Sequence, residues 1–277
     1  MTDQHEKAEI FRDLHQPGNP FILANAYDVG SAKMLVAMGA EAIATTSSGF
    51  AFTLGKPDMG HVTRDEALDH AEDIVRAVDV PVSADLENGY ADDPGGVAEC
   101  IQLAAEVGLV GCTIEDSTMD SSKPSYDFDI AVERIRTAVE AAEDLPFDFT
   151  LCARADGVLL GSYDVNEAIR RLQAFEEVGA SAVYCPLPPT MEDIARICAS
   201  VSVPANALCA GKFTKYSKSD FAKAGVSRIS IGGALARATH RVVLETGHAM
   251  FDDGDFSPLA RSVSGDEIDK LLKSGGA

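Results

Sequence analysis

Ser83-Ala84-Asp85-Leu86-Glu87-Asn88-Gly89-Tyr90 follows the run Val80-Pro81-Val82, and Cys112-Thr113-Ile114-Glu115-Asp116 follows Val110-Gly111 one helical pattern later. Each stretch is a short apolar run that ends abruptly in carboxylates. A run of that length, bounded by turn residues and followed by helical periodicity, reads as a strand buried on both faces of a parallel sheet. Two such strands with acids at their C-terminal ends predict acids meeting on one face of an α/β barrel. That is the face where barrel enzymes place their chemistry.

Outward from this pair, the same alternation covers the chain. Strands are expected over 21–27, 42–47, 80–87, 111–116, 148–155, 182–186, 203–208 and 228–232. Helices are expected over 29–38, 94–107, 127–142, 164–178, 191–199, 218–223 and 234–251, with another opened by the capping box Thr63-Arg64-Asp65-Glu66. A long loop, 48–60, is expected after the second strand. The recurring joint is a helix that ends at a glycine (Gly39, Gly108, Gly179, Gly225) just before the next strand. Eight strands alternating with helices, with no Pro/Ser-rich linker, predict a single (β/α)8 TIM-type barrel domain over 1–277 with its core at about 21–251. A polar helix over 2–15 precedes it, and a helix over 265–273 lies outside the barrel or on a neighbouring subunit. No G-x-G-x-x-G follows the first strand, which disfavours a dinucleotide-binding sheet.

Composition narrows the partners. The 277 residues are 46% hydrophobic and carry a formal net charge of −21. Such a field repels nucleic acid and anionic membranes, so neither is an expected partner. Cys100, Cys112, Cys152, Cys185, Cys198 and Cys209 form no C-x-x-C pair, and most stand in apolar runs. That pattern argues for a reducing cytoplasm and against a disulfide framework or a structural zinc site. No basic-then-apolar leader opens the chain and no apolar run reaches the length of a membrane span.

The predicted strand ends collect the polar chemistry. Asn25 and Tyr27 end the first strand, Ser47-Ser48-Gly49 the second, Asp85 and Glu87 the third, Glu115 and Asp116 the fourth. Arg154 and Asp156 end the fifth, Asn206 the seventh and Gly232-Gly233 the eighth, and Asp58 stands on the long loop. By strand alternation Asp85 and Glu87 should share a face. Asp58, Asp85, Glu87 and Glu115 make an all-oxygen set that suits Mg²⁺ or Mn²⁺ rather than zinc. Without a cation, such carboxylates would raise one another's pKa. Arg154 is placed to clamp a substrate carboxylate, or else to form an ion pair with Glu115 or Asp156. Ser47, Ser48 and Gly49 offer hydroxyls and N–H groups for a carboxylate or oxyanion. Gly232-Gly233 would suit either a phosphate or tight strand–helix packing. Tyr27, His61, Asn206 and Cys209 remain as candidates for proton transfer or substrate contact.

Thr45-Thr46-Ser47-Ser48-Gly49 with Asp58, Ser83–Tyr90, Thr113-Ile114-Glu115-Asp116 and Cys152-Ala153-Arg154-Ala155-Asp156 together resemble the isocitrate lyase/phosphoenolpyruvate mutase superfamily, over about 21–233. The resemblance implies a Mg²⁺-bound 2-oxo acid or its enolate. It implies Asp85 as the direct metal ligand, with Asp58, Glu87 and Glu115 holding the metal's waters. Ser47, Ser48 and Gly49 would then bind the carboxylate or oxo group and Arg154 the carboxylate. It also implies homodimers or tetramers that exchange the final helix. Two family motifs are absent. The lyases' K-[KR]-C-G-H segment reads Asp116-Ser117-Thr118-Met119-Asp120-Ser121-Ser122-Lys123-Pro124 here, and the mutase's lysine/asparagine gating loop is missing from the same place. The expectation is a Mg²⁺-dependent lyase that breaks a C–C bond of, or decarboxylates, a small 2-oxo acid. The alternatives are a phosphonopyruvate- or carboxyphosphonoenolpyruvate-type mutase or hydrolase, and a non-catalytic 2-oxo-acid-binding barrel.

Overall fold

The computed structural model describes residues 3–277. Eight parallel strands close in sequence order: β1 Phe21–Asn25, β2 Ile43–Ala44, β3 Val82–Asp85, β4 Gly111–Glu115, β5 Thr150–Arg154, β6 Ala182–Tyr184, β7 Ala205–Leu208 and β8 Arg228–Ser230. Phe21, Ile22 and Leu23 pair with Arg228, Ile229 and Ser230, so the barrel leaves no open sheet edge. The expected (β/α)8 barrel is therefore present.

The helices are α1 Gln4–Asp13, α2 Val29–Ala37, α3 Ser47–Thr53, α4 Arg64–Ala77, α5 Pro94–Glu106, α6 Phe128–Glu143, α7 Gly157–Leu160, α8 Val165–Glu177, α9 Met191–Ala199, α10 Lys218–Lys223, α11 Ala234–Asp253 and α12 Gly265–Ser274. Their starts follow from side-chain caps. Thr63 and Glu66 form the expected capping box, and Asp93 caps α5 just before Pro94. At the α5 exit Gly108 takes φ +92°, and a Cβ there would stand 2.7 Å from Val75 Cγ1. Only glycine allows the chain to turn so tightly into β4.

Three elements differ from expectation. The first half of the predicted 48–60 loop is helix α3, because the Thr46 side chain accepts from the Gly49 N–H and starts a turn. Helix α7, after β5, had no periodicity to announce it. Strand β3 stops at Asp85, and Glu87 adopts φ +47°, so the alternation that should have put Asp85 and Glu87 on one face ends before Glu87. For the N-terminal helix, the expected first residue Thr2 lies outside the described residues.

Both ends of the barrel are pinned. At the N-terminal end, Ala8 and Phe11 of α1 pack with Phe21, Leu23, Ala44 and Val110. Gly111 gives way to the Phe11 ring there, since a Cβ would meet it at 3.1 Å and the Thr150 carbonyl at 2.6 Å. At the other end, fully buried Arg134 donates to the carbonyls of Asn88, Ala91 and Asp92. It thereby fixes the turn that carries Glu87. Asp116 accepts from the Asp156 N–H, the Tyr163 hydroxyl and Arg171, and so ties β4 to β5 and α8. Charged donors on buried carbonyls and carboxylates make these strong, directional ties.

Candidate active site

The C-terminal ends of the strands enclose a cavity of about 290 Å³. Asp85, the last residue of β3, points into it. Its Oδ2 accepts from the Ser47 N–H at 3.1 Å and the Ser47 hydroxyl at 2.7 Å. Its Oδ1 accepts from Arg154 Nη1 at 2.9 Å and Thr113 Oγ1 at 3.3 Å. The Asp85 N–H in turn donates to Thr45 Oγ1 at 3.0 Å. The carboxylate is thus locked by β4, β5 and the first turn of α3, and the Asp85 backbone by Thr45.

Arg154 forms the ion pairs expected as the second reading of its role. It lines the cavity, and its Nε and Nη2 grip Asp156 at 3.0 and 2.6 Å while Nη2 also lies 3.0 Å from Glu115 Oε2. The Tyr184 ring sits beneath the guanidinium, 5.2 Å from centroid to Cζ. Burial works against the Arg154 charge, and Asp156, Glu115 and Asp85 together outweigh it. Burial likewise drives the Glu115 carboxyl strongly upward, against the pull of Arg154.

The other acids surround this pair at different depths. Asp58 stands exposed at the cavity mouth, within electrostatic reach of Asp85, Arg154 and Arg237. Glu87 is 4% exposed and lines an adjoining depression with Gly60, whose N–H approaches its two oxygens at 3.4 and 3.2 Å. Burial, with the Asp85 charge added, pushes Glu87 up to about 7. Among the described residues no three His, Cys, Asp or Glu side chains converge closely enough to hold a metal by themselves. The donor set still fits a hard cation that takes one carboxylate directly and reaches the rest through water, as Mg²⁺ does. An all-oxygen set whose members raise one another's proton affinity is a set that a cation would relieve.

The remaining candidates separate clearly. Ser47 and Ser48 line the cavity. Gly49 does not: its N–H donates to Thr46, and a Cβ there would lie 2.5 Å from Thr46 Cγ2 and 2.9 Å from Tyr27 Cβ. Gly49 lets Tyr27 pack close, and Tyr27 stands outside the lining. Asn206 lies in the wall with its amide committed on both sides, accepting from Arg228 at 2.9 Å and donating to Ser230 at 2.9 Å. His61 is exposed and Cys209 packs among Ile194, Phe213 and Phe221, both away from the cavity. Gly233 serves tight packing, since a Cβ there would stand 2.3 Å from Ser48 Oγ.

Two cavity residues carried no signal at the strand ends. Arg237, in the first turn of α11, lines the cavity and has no ion-pair partner among the described residues. Tyr184 ends β6, inside the run Ala182-Val183-Tyr184-Cys185, which reads as plain core.

The phosphoenolpyruvate phosphomutase family model matches residues 11–251. A crystal structure from Burkholderia cenocepacia J2315, provisionally described as a lyase/mutase, superposes with a TM-score of 0.93 at 44% identity, covering 97% of this chain and 96% of that one. An uncharacterised protein of Mycobacterium tuberculosis H37Rv is 31% identical over 95% of both chains. An oxaloacetate decarboxylase of Pseudomonas paraeruginosa is 26% identical over 95% of this chain and 93% of its own. A phosphonopyruvate hydrolase solved with oxalate and Mg²⁺ shares the fold, with a TM-score of 0.83 at 23% identity over 96% of this chain and 95% of that one. With the family model spanning the barrel from α1 to α11, the chain belongs to the phosphoenolpyruvate phosphomutase family, within the isocitrate lyase/phosphoenolpyruvate mutase superfamily of lyases, mutases and hydrolases acting on 2-oxo acids.

Proposed function

We propose that this protein is a Mg²⁺-dependent lyase that cleaves or decarboxylates a small 2-oxo acid through its enolate. The observation that carries this reading is Asp85, locked by Ser47, Thr113 and Arg154 inside a cavity of about 290 Å³ that also holds Arg237, which has no ion-pair partner among the described residues. That volume takes a small acid and excludes a nucleotide-sized ligand. Asp85 would hold the ion directly, and Asp58, Glu87 and Glu115 would hold its waters. Mn²⁺ suits the same donors. A bound divalent ion supplies Lewis-acid polarisation of the 2-oxo oxygen. The chain itself orients the substrate. Arg237 and the Ser47–Ser48 turn of α3 face the space where a carboxylate would lie, and Arg154 sets a fixed positive charge beside it.

The segment that carries the lyase cysteine or the mutase gating residues elsewhere in the superfamily folds back on itself here. Ser117 bridges Ser125, Thr118 Oγ1 donates to the Lys123 carbonyl at 2.5 Å, and none of residues 117–125 lines the cavity. This supports simple enolate chemistry over a mutase. The oxaloacetate decarboxylase among the relatives agrees with that choice. All six cysteines are free, which supports a reducing, cytoplasmic setting. The exposed apolar row along α11 supports a homo-oligomer.

The test is turnover of a panel of 2-oxo diacids and phosphonopyruvate, with and without Mg²⁺. Mg²⁺-dependent release of a 2-oxo monoacid is expected from at least one diacid. Saturable binding with no product from any candidate would show a binding protein, and phosphate or phosphoenolpyruvate formed from phosphonopyruvate would show a hydrolase or mutase.

A further inference from the structure

We propose that Leu159 and Leu187 read the third carbon of the substrate, and that the 2-oxo acid taken by this cavity carries an alkyl group there. This rests on the enolate reading above and names the substrate class for the same site.

The mouth of the cavity divides by strand order. Chain from β2 to β5 supplies Ser47, Ser48, Asp58, Asp85, Thr113 and Arg154. Chain at or just beyond the ends of β5 to β8 supplies Leu159, Pro186, Leu187, Leu208 and Ile231. The barrel closes in sequence order, so these are two facing arcs, one polar and one apolar. Asn206 of β7 faces inward, and Leu208 two residues on faces the same way, nearer the mouth. A Cβ on Gly232 would stand 3.3 Å from Leu208 Cδ1, so the ends of β7 and β8 close the arc tightly. Leu187 takes φ +46°, a left-handed conformation that a leucine holds only where its surroundings impose it. It stands between buried Pro186 and Pro188, whose rings fix the backbone on both sides. Leu159, on α7, lines the cavity and is 46% exposed.

The cations decide which way a substrate lies. Every nitrogen of the Arg154 guanidinium is committed to Asp85, Asp156 or Glu115. Arg228, at the start of β8, lies deeper, 1% exposed and donating to Asn206 at 2.9 Å. Arg237 remains, beside the Ser47–Ser48 turn: a Cβ on Gly233 would stand 2.3 Å from Ser48 Oγ and 3.1 Å from Arg237 Nη1. Carboxylate and oxo groups therefore belong on the polar arc, with Asp85, Ser48 and Arg237, and C3 turns one face to the apolar arc. A charged or hydroxylated substituent on that face would lose its water and gain no donor. An alkyl group would bury apolar surface against Leu159 and Leu187. These two leucines are specificity-determining residues; they hold no part of the reacting bonds.

The test uses the full-length protein with Mg²⁺ and a series of 2-oxo monoacids that bind without turnover. Pyruvate, 2-oxobutanoate and 2-oxopentanoate differ only in the alkyl group on C3. Calorimetry should show affinity rising about fourfold with each added methylene. Leu159→Ala, at an exposed position that does not threaten the fold, should flatten that gradient. Arg237→Ala should weaken all three acids alike and keep it. In turnover, kcat/KM for 3-methyloxaloacetate should exceed that for oxaloacetate by about tenfold or more. Equal affinity for the three monoacids, or affinity that falls as the alkyl group grows, overturns the proposal. So does a Leu159→Ala protein that keeps the wild-type gradient. If the gradient is present and no diacid is turned over, the enolate reading fails while the apolar arc stands as the selector of a binding site.

Discussion

Asp85 and Arg237 stand at opposite poles of the cavity chemistry. Asp85 accepts from four donors and cannot move without breaking them. Arg237 has none of these ties. Asp85→Ala should abolish turnover, by at least about 10³-fold, and remove Mg²⁺ binding in calorimetry while the circular dichroism spectrum stays native. An active variant would refute the metal assignment. Arg237→Ala should instead raise KM for a diacid about 10–100-fold with a smaller change in kcat, because it removes a charge that holds substrate and transition state alike. Steady-state kinetics on the two variants separates the roles. Asp85 and Arg154 were legible in the chain because a charged residue that ends an apolar run can hardly be anything but a strand end. Arg237 was not, since an arginine one turn into a helix looks like any solvated one. Tyr184 was hidden for the opposite reason: among Ala182, Val183 and Cys185 a tyrosine reads as core. Glu87 was expected on the face of Asp85 and stands instead in the adjoining depression, because nothing in Leu86-Glu87-Asn88 announces a left-handed residue.

The elements explain why these side chains hold still. Helix α3 could not be read from 48–60, because its only signal is the cap at Thr46, inside a run of small polar residues. The barrel itself was legible, because eight strand–helix alternations, four of them joined at a glycine, leave few other topologies. Helix α1 does more than close the barrel floor. The residue two past its end, His15, packs edge-on against Phe11 and Phe21 and accepts from Arg228. Burial, with the Arg228 charge added, pulls the His15 imidazole down to about 3. In the unfolded chain it titrates near 6.5, so below that pH the unfolded state binds a proton that the native state does not. Stability is therefore complete above about pH 6.5 and is lost as the pH falls toward 3, at up to about 1.4 kcal/mol per pH unit from this group. His15→Gln keeps a donor for the Phe11 carbonyl and an acceptor for Arg228. Denaturant melts from pH 7 to 4.5 should show a flatter acid limb for this variant than for the wild type. Identical limbs would mean that His15 is not the group responsible.

At the scale of the whole molecule, two features pull against each other. One is the net charge of −21, which keeps copies apart. The other is the apolar row on α11 and beyond: Val243 is 67% and Phe251 86% exposed, with Val242, Leu244, Phe256, Leu259 and Val263 also open. A monomer rarely leaves that much large apolar surface uncovered, and several such side chains at about 1.5–3 kcal/mol each for full burial outweigh a screened repulsion. The expected state in solution is therefore a dimer or tetramer built on α11. Since the repulsion is long-range and the burial is not, association should tighten as salt rises from 50 to 300 mM, where the screening length falls well below the size of the protein. Sedimentation equilibrium at both salts measures this directly. Paired Val243→Glu and Phe251→Glu substitutions add like charge to the apolar face and should yield monomers. A wild type that sediments as a monomer at both salts would leave α11 without a partner copy and refute the oligomer. Because α11 also carries Arg237 at its first turn, covering it would steady one wall of the cavity, so the monomeric variant should lose substrate affinity as well as mass.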